Sequence, residues 1–126
     1  MSGDGERFLP GQHALEAYGG GGFRFAGMSH RGSLLLLPSG VRAWPVTAAA
    51  DLAFGHFAAA VAEAATIDVM VIGAGETLTP LDPALLAQLR EAGLRVEVMA
   101  TATAARTYNF LVSEGRRAAA ALVAVP

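Results

Sequence analysis

Two groups of residues in this sequence could do chemistry. The first is a glycine loop. Ile67–Gly75 reads Ile-Asp-Val-Met-Val-Ile-Gly-Ala-Gly, so the apolar run Val69 to Ile72 leads straight into Gly73 and Gly75, with Glu76 next. A loop of this kind at the end of a buried strand lies where open α/β sheets place their ligands. The second group is Thr101, Thr103, Arg106, Thr107, Asn109 and Glu114, followed by Arg116. Thr101 and Thr103 fall where a strand gives way to a helix. The free N–H groups of that first turn, with nearby hydroxyls, make a modest anion site. Arg106, Asn109 and Ser113 recur at i, i+3 and i+7 and share one helical face. An arginine and an amide on one face can grip a carboxylate, a phosphate or a partner's backbone. A structural use also fits: Thr101 caps the helix, and Arg106 pairs with a sheet-end carboxylate such as Glu76.

Several reaction classes have nothing to work with. The 126 residues include no cysteine, which removes disulfides, thiolate metal sites and thiol nucleophiles. All nine basic residues are arginine, so there is no Schiff-base lysine and no Walker-type phosphate lysine. The three histidines are scattered without metal-ligand spacing. Ser33, Ser39 and Ser113 are not in a nucleophile elbow. Glu97, 22 residues past Gly75, matches the spacing of a ribose-binding acid. Position 78 is leucine rather than the third glycine, however, and the nearest helix start is Pro83, so the dinucleotide fingerprint fails. A net charge of −2 without a basic run argues against a nucleic-acid surface. The expectation is no cofactor, no metal and no legible catalytic set.

The elements that position these residues follow from periodicity. Residues 1–12 read as a flexible leader, and 13–126 as one α/β domain. Asp4 and Glu6 stand where an export signal is basic, and Ala118–Pro126 is too short to span a bilayer. A cytoplasmic protein, at most peripheral to a membrane, is expected. His13–Tyr18, Phe23–Phe25, Ser33–Pro38 and Gly40–Trp44 read as short antiparallel strands, with Met28–Gly32 as a turn. Gly19–Gly22 lacks an internal basic residue and a following helix, so a bulge or wide turn fits it better than a phosphate cradle. Leu52, Phe54, Phe57, Val61 and Ala65 suit one helical face, weakened at its start by Gly55. Asp82-Pro83 opens a second helix that Gly93 closes. Leu94–Met99 is a strand, Thr101–Gly115 a third helix and Ala118–Val125 a last strand. Hairpins followed by strand–helix alternation predict an α/β fold. Its central sheet is mixed and mostly parallel, flanked by helices and by an N-terminal antiparallel β-hairpin layer.

An ordered series of motifs resembles a known family. It comprises Tyr18-Gly19 through Phe23, Leu37-Pro38 with Gly40 and Trp44, and Ile67–Gly75. It continues with Met99-Ala100-Thr101, Ala104-Ala105-Arg106-Thr107-Tyr108-Asn109 and Glu114-Gly115-Arg116-Arg117. The chain resembles the family of small α/β domains that includes the mitochondrial respiratory complex I (NADH dehydrogenase) assembly factor, the adipogenesis-associated domain protein and many uncharacterised bacterial proteins. The resemblance runs from about His13 to the end. It implies a three-layer fold, no established enzymatic activity and, in eukaryotes, a role in assembling complex I at the inner membrane. Members often carry threonine between the loop glycines and cysteine before the arginine; here those positions are Ala74 and Ala105. The expected function is interaction or assembly, with respiratory complex subunits or another protein as partner. The alternative is a small-molecule or anion-binding protein that uses the Gly73–Gly75 loop and the Arg106 helix.

Overall fold

The computed structural model describes residues 7–126. The described chain opens with strands β1 (Arg7–Pro10), β2 (Ala17–Gly19), β3 (Gly22–Phe25), β4 (Met28–Arg31), β5 (Leu34–Leu37) and β6 (Gly40–Ala43). Short 3-10 turns surround helix α1 (Ala58–Ala62) and lead to β7 (Val69–Gly73). Then come α2 (Pro83–Glu91), β8 (Val96–Met99), α3 (Thr101–Ser113) and β9 (Ala118–Leu122).

A six-stranded sheet has the order β1-β6-β5-β9-β7-β8, and a separate three-stranded sheet the order β2-β3-β4. β7 pairs in parallel with β8 and β9, whereas β9–β5, β5–β6 and β6–β1 are antiparallel. The sheet is mixed, as the alternation of elements implies, but its antiparallel share is larger than a mostly parallel sheet would have. The cause is that the N-terminal hairpin strands join the main sheet through β9.

Period two divides the core into two faces. Leu35, Leu37, Met70, Ile72, Ala119 and Ala121 point one way, against Phe57 and the α2 leucines Leu85 and Leu89. Leu34, Leu36, Val69, Val71, Ala118 and Ala120 point the other way, against Phe23, Phe25, Ala104 and Tyr108. Helices α1 and α2 therefore cover one face. Helix α3 and the small sheet cover the other. Every residue of β7 is buried, as its unbroken apolar run requires. The alanines of β9 let α3 approach closely.

Local chemistry explains the elements and the departures from expectation. Asp82 Oδ1 accepts the Ala84 N–H at 2.9 Å, Pro83 takes the first helical position, and Gly93, with φ +96, ends α2. The helix expected across Leu52–Ala65 is broken. Ala53 is extended, and its N–H bonds to His56 Nδ1 at 3.0 Å, so a 3-10 turn precedes α1. Met28–Gly32 is not a turn but contains β4. The reversal falls at Ala26-Gly27, both at positive φ, between the paired Phe25 and Met28. Gly20-Gly21 makes the preceding reversal in the same way, so the tetraglycine run is a tight hairpin, not a bulge or wide turn. Of the leader expected over residues 1–12, Arg7–Pro10 instead pairs with β6 as an edge strand; residues 1–6 lie outside the described residues.

Asp68 joins the starts of β7 and β9. Its carboxylate accepts the Arg117 N–H at 3.0 Å and the Arg117 guanidinium at 3.2 Å, with Arg116 Nε at 3.7 Å. The Arg117 N–H chiefly holds this carboxyl below its ordinary range, against the opposing effect of burial and with help from both guanidinium groups. A depressed folded-state pKa stabilises the protein above the ordinary carboxylate range, and that contribution is lost as pH falls through the lowered value. Asp68→Asn is therefore expected to lower the urea midpoint at neutral pH and to converge with wild type in acid. Equal offsets at all pH values would contradict this coupling.

Candidate functional site

The expected site begins where β7 ends, and there the chain closes on itself. The Ala74 N–H donates to Met99 O at 2.8 Å, the Thr101 N–H to Gly75 O at 2.8 Å, and the Val123 N–H to Gly73 O at 2.9 Å. Thr101 Oγ1 donates to Val123 O at 2.8 Å and accepts the Gly75 N–H at 3.0 Å. Thr101 is fully buried. It occupies the first helical position, while Ala100 stands at the N-cap without a side-chain capping bond. The threonine thus neither caps α3 nor presents its hydroxyl to a ligand. A Cβ on Gly73 would lie 2.9 Å from Thr101 Cα and 2.9 Å from Leu122 Cδ2, so glycine is required at this crossing. Gly75 and Thr101 lie together at one sheet end, as strands with parallel ends imply, but their polar groups are spent on each other.

The other expected residues do not converge there. Glu76 is exposed beside the loop and has no hydrogen bond or ion pair with the described residues. Arg106 does not pair with it. Instead Arg106 donates to Tyr18 Oη at 3.2 Å. Thr107 is half-buried, and Thr103 is exposed. Asn109 uses both ends of its amide on one backbone residue. Its Oδ1 accepts the Leu15 N–H and its Nδ2 donates to Leu15 O, each at 2.8 Å. Beside it, the Tyr108 hydroxyl donates to His13 O at 2.7 Å, and burial pushes that phenol well above its usual pKa. Glu114 is exposed at the C-cap of α3. Arg116 belongs to the opposite sheet end, against Asp68, and its carbonyl accepts a bond from Gln12 Nε2 at 2.8 Å. The Arg-Thr-Tyr-Asn stretch is therefore chiefly a clamp on residues 13–18, not one polar face turned to solvent.

Two clefts lie on the side of the molecule that this clamp positions. One, of about 300 Å³, lies between β2 and α3, with Tyr18, Glu16, Arg106 and Asn109 at its walls. The other, of about 500 Å³, lies on the small sheet, with Tyr18, Arg24, His30 and Arg31 around a glycine-rich floor. Arg24 is foreshadowed by the Phe23-Arg24-Phe25 alternation. Tyr18 and Arg31 carry no comparable signal, since one precedes a glycine run and the other sits in a segment that reads as a turn.

The fold and the clamp define the class: an α/β domain with a mixed sheet, helices on both faces and an added antiparallel sheet. The chain belongs to the family described as protein of unknown function DUF498/DUF598, whose model matches residues 15–123. It is 39% identical over 112 residues to an uncharacterised protein of Rhodobacter capsulatus, covering 89% of this chain and 85% of that one. It is 35% identical over 109 residues to NADH dehydrogenase [ubiquinone] 1 alpha subcomplex assembly factor 3 of Xenopus tropicalis. That match covers 86% of this chain but only 60% of the relative. The human assembly factor 3 is 33% identical over 112 residues, covering 89% and 61%. The chain thus spans about three fifths of these assembly factors' length. Among solved structures, one titled an outer membrane protein from Bartonella henselae superposes with a TM-score of 0.88 at 39% identity, covering 94% of this chain and 99% of that one. A Bordetella pertussis protein described as a Mth938-like domain gives 0.74 at 28% identity, covering 89% and 85%.

Loss of the amide clamp is the direct test of its role. Asn109→Ala leaves the Leu15 N–H and C=O without their partner, at a cost of about 1–3 kcal/mol. Hydrogen exchange should quicken at residues 15–19 more than in β7 and β9. Unchanged protection of Leu15 would show that the clamp does not hold the segment.

Proposed function

We propose that this chain is a non-enzymatic interaction protein that assists assembly of a respiratory NADH dehydrogenase. The observation that carries the proposal is its similarity to assembly factor 3 proteins across 86–89% of its length. The chemistry of the site supports the same reading. Thr101, Tyr108 and Asn109 are the polar groups most suited to a reaction or a ligand, and all three are engaged in holding the chain together. Among the described residues no group of histidines and carboxylates could hold a metal ion. Solvent-facing residues of α3, including Arg106 and the 63%-exposed Phe110, remain for recognition. Among the described residues no helix is long and apolar enough to cross a membrane.

The test is a deletion strain of the source organism, scored for membrane NADH:quinone activity and for assembled complex on native gels. Both should fall and be restored by the wild-type gene. Arg106→Ala should restore them less well while melting within about 1 kcal/mol of wild type, since its one bond is exposed. Normal activity and normal complex in the deletion strain, with no respiratory subunit in a tagged pull-down, would overturn the proposal.

A further inference from the structure

The outward face of the three-stranded sheet is cupped and carries positive charge that no carboxylate of the described residues pairs. In β3, Phe23 and Phe25 turn into the core, so Gly22 and Arg24 turn out. Cross-strand register puts Ala17 and Ser29 beside Arg24, and Gly19 and Arg31 beside Gly22, all on that outward face. The floor is low because Gly22 has no space for a side chain: a Cβ there would stand 2.1 Å from His30 O. The hollow holds about 500 Å³, and among the described residues no carboxylate lines it. Arg24 is steadied by a 2.7 Å bond to Ser29 Oγ. Neither Arg24 nor Arg31 makes an ion pair with the described residues, and both are exposed. Arg106 extends the charge along the adjoining cleft, which shares Ala17 and Tyr18 with this one. Glu16, the one carboxylate of that cleft among the described residues, already accepts the Gly27 N–H at 3.1 Å. The chain as a whole is acidic, with net charge −2, so this is a local reversal of sign.

We propose that the outward face of β2-β3-β4 docks an extended acidic segment of a partner polypeptide, with carboxylates two residues apart on Arg24 and Arg31. The spacing supports an extended chain. Arg24 faces Ser29 across the strands, so Arg31 is its diagonal neighbour, roughly 7–8 Å away at the backbone. Residues i and i+2 of an extended peptide are separated by about 6.5–7 Å and point the same way. Each guanidinium can bind a carboxylate through two N–H groups. The glycine floor, Gly19, Gly20 and Gly22, admits the peptide backbone. This inference rests on the interaction reading above and names the surface and partner chemistry for it.

The probe is a fluorescent twelve-residue peptide of alternating Glu and Thr, titrated into the full chain, with the Arg-Thr peptide and inorganic phosphate as comparisons. The acidic peptide should bind, and more weakly at higher salt. Arg24→Gln with Arg31→Gln should weaken it about tenfold or more without moving the melting temperature. Arg24→Glu with Arg31→Glu should transfer binding to the basic peptide. Equal binding by wild type and the glutamine variant would overturn the proposal, as would competition by millimolar phosphate, which would mark a small-anion site. A pull-down with purified membrane NADH dehydrogenase subunits separates this inference from its parent. Capture by wild type and not by the glutamine variant supports both. Equal capture by the two overturns the groove and leaves the assembly reading standing. No capture by wild type, with normal complex in the deletion strain, overturns both.

Discussion

The fold depends on one buried hydroxyl. Three segments meet at the C-terminal end of β7: the Gly73–Gly75 loop, the start of α3 and the exit from β9. Each brings backbone polar groups into a largely buried region, and unpaired groups there are costly. Thr101 Oγ1 satisfies two at once, the Val123 carbonyl and the Gly75 N–H. Gly73 makes the approach possible by having no side chain. With Thr101 fixed, the phase of α3 is fixed, and Tyr108 and Asn109, two turns on, face the N-terminal segment. Their bonds to His13 and Leu15 in turn set where β2 begins and hence where the small sheet lies.

That chain of dependence changes the meaning of the residues that look functional. In an open α/β sheet the C-terminal end of a central strand is the usual ligand crevice. Here it is sealed by the protein's own hydrogen bonds. The threonine and asparagine that suggest an anion grip hold backbone instead. What they support is a surface: the small sheet with Tyr18, Arg24 and Arg31, beside Arg106 on α3. Thr101, Tyr108 and Asn109 are spent on architecture, whereas Arg24, Arg31 and Arg106 are exposed.

Much of the fold was legible in the sequence because its signals are local. The run Val69–Ile72 announces a strand covered on both faces, Asp82-Pro83 and Gly93 bracket α2, and the alternation of Leu94–Met99 marks a strand with one open face. The failures are local signals overruled by tertiary context. Met28–Gly32 has the polar and glycine content of a turn, yet cross-strand pairing with β3 makes most of it a strand. Leu52–Ala65 has helical spacing, but Ala53, Gly55 and the His56 ring favour 3-10 turns over a continuous helix. The site was legible as a list and not as an arrangement. Spacing brings Gly75 to Thr101 but cannot show that Asn109 reaches Leu15, 94 residues earlier in sequence. Nor can it show that Arg116 stands at the far end of the sheet.

The Thr101 hydroxyl secures the junction on which the rest of the fold is built. Urea unfolding of Thr101→Val and Thr101→Ser, with amide exchange followed at Gly75 and Leu15, tests it most directly. Valine keeps the shape and removes both bonds, and should cost about 1–3 kcal/mol while quickening exchange at both amides. Serine keeps the hydroxyl and should retain most of the stability. A valine variant as stable as wild type, with both amides equally protected, would contradict the account.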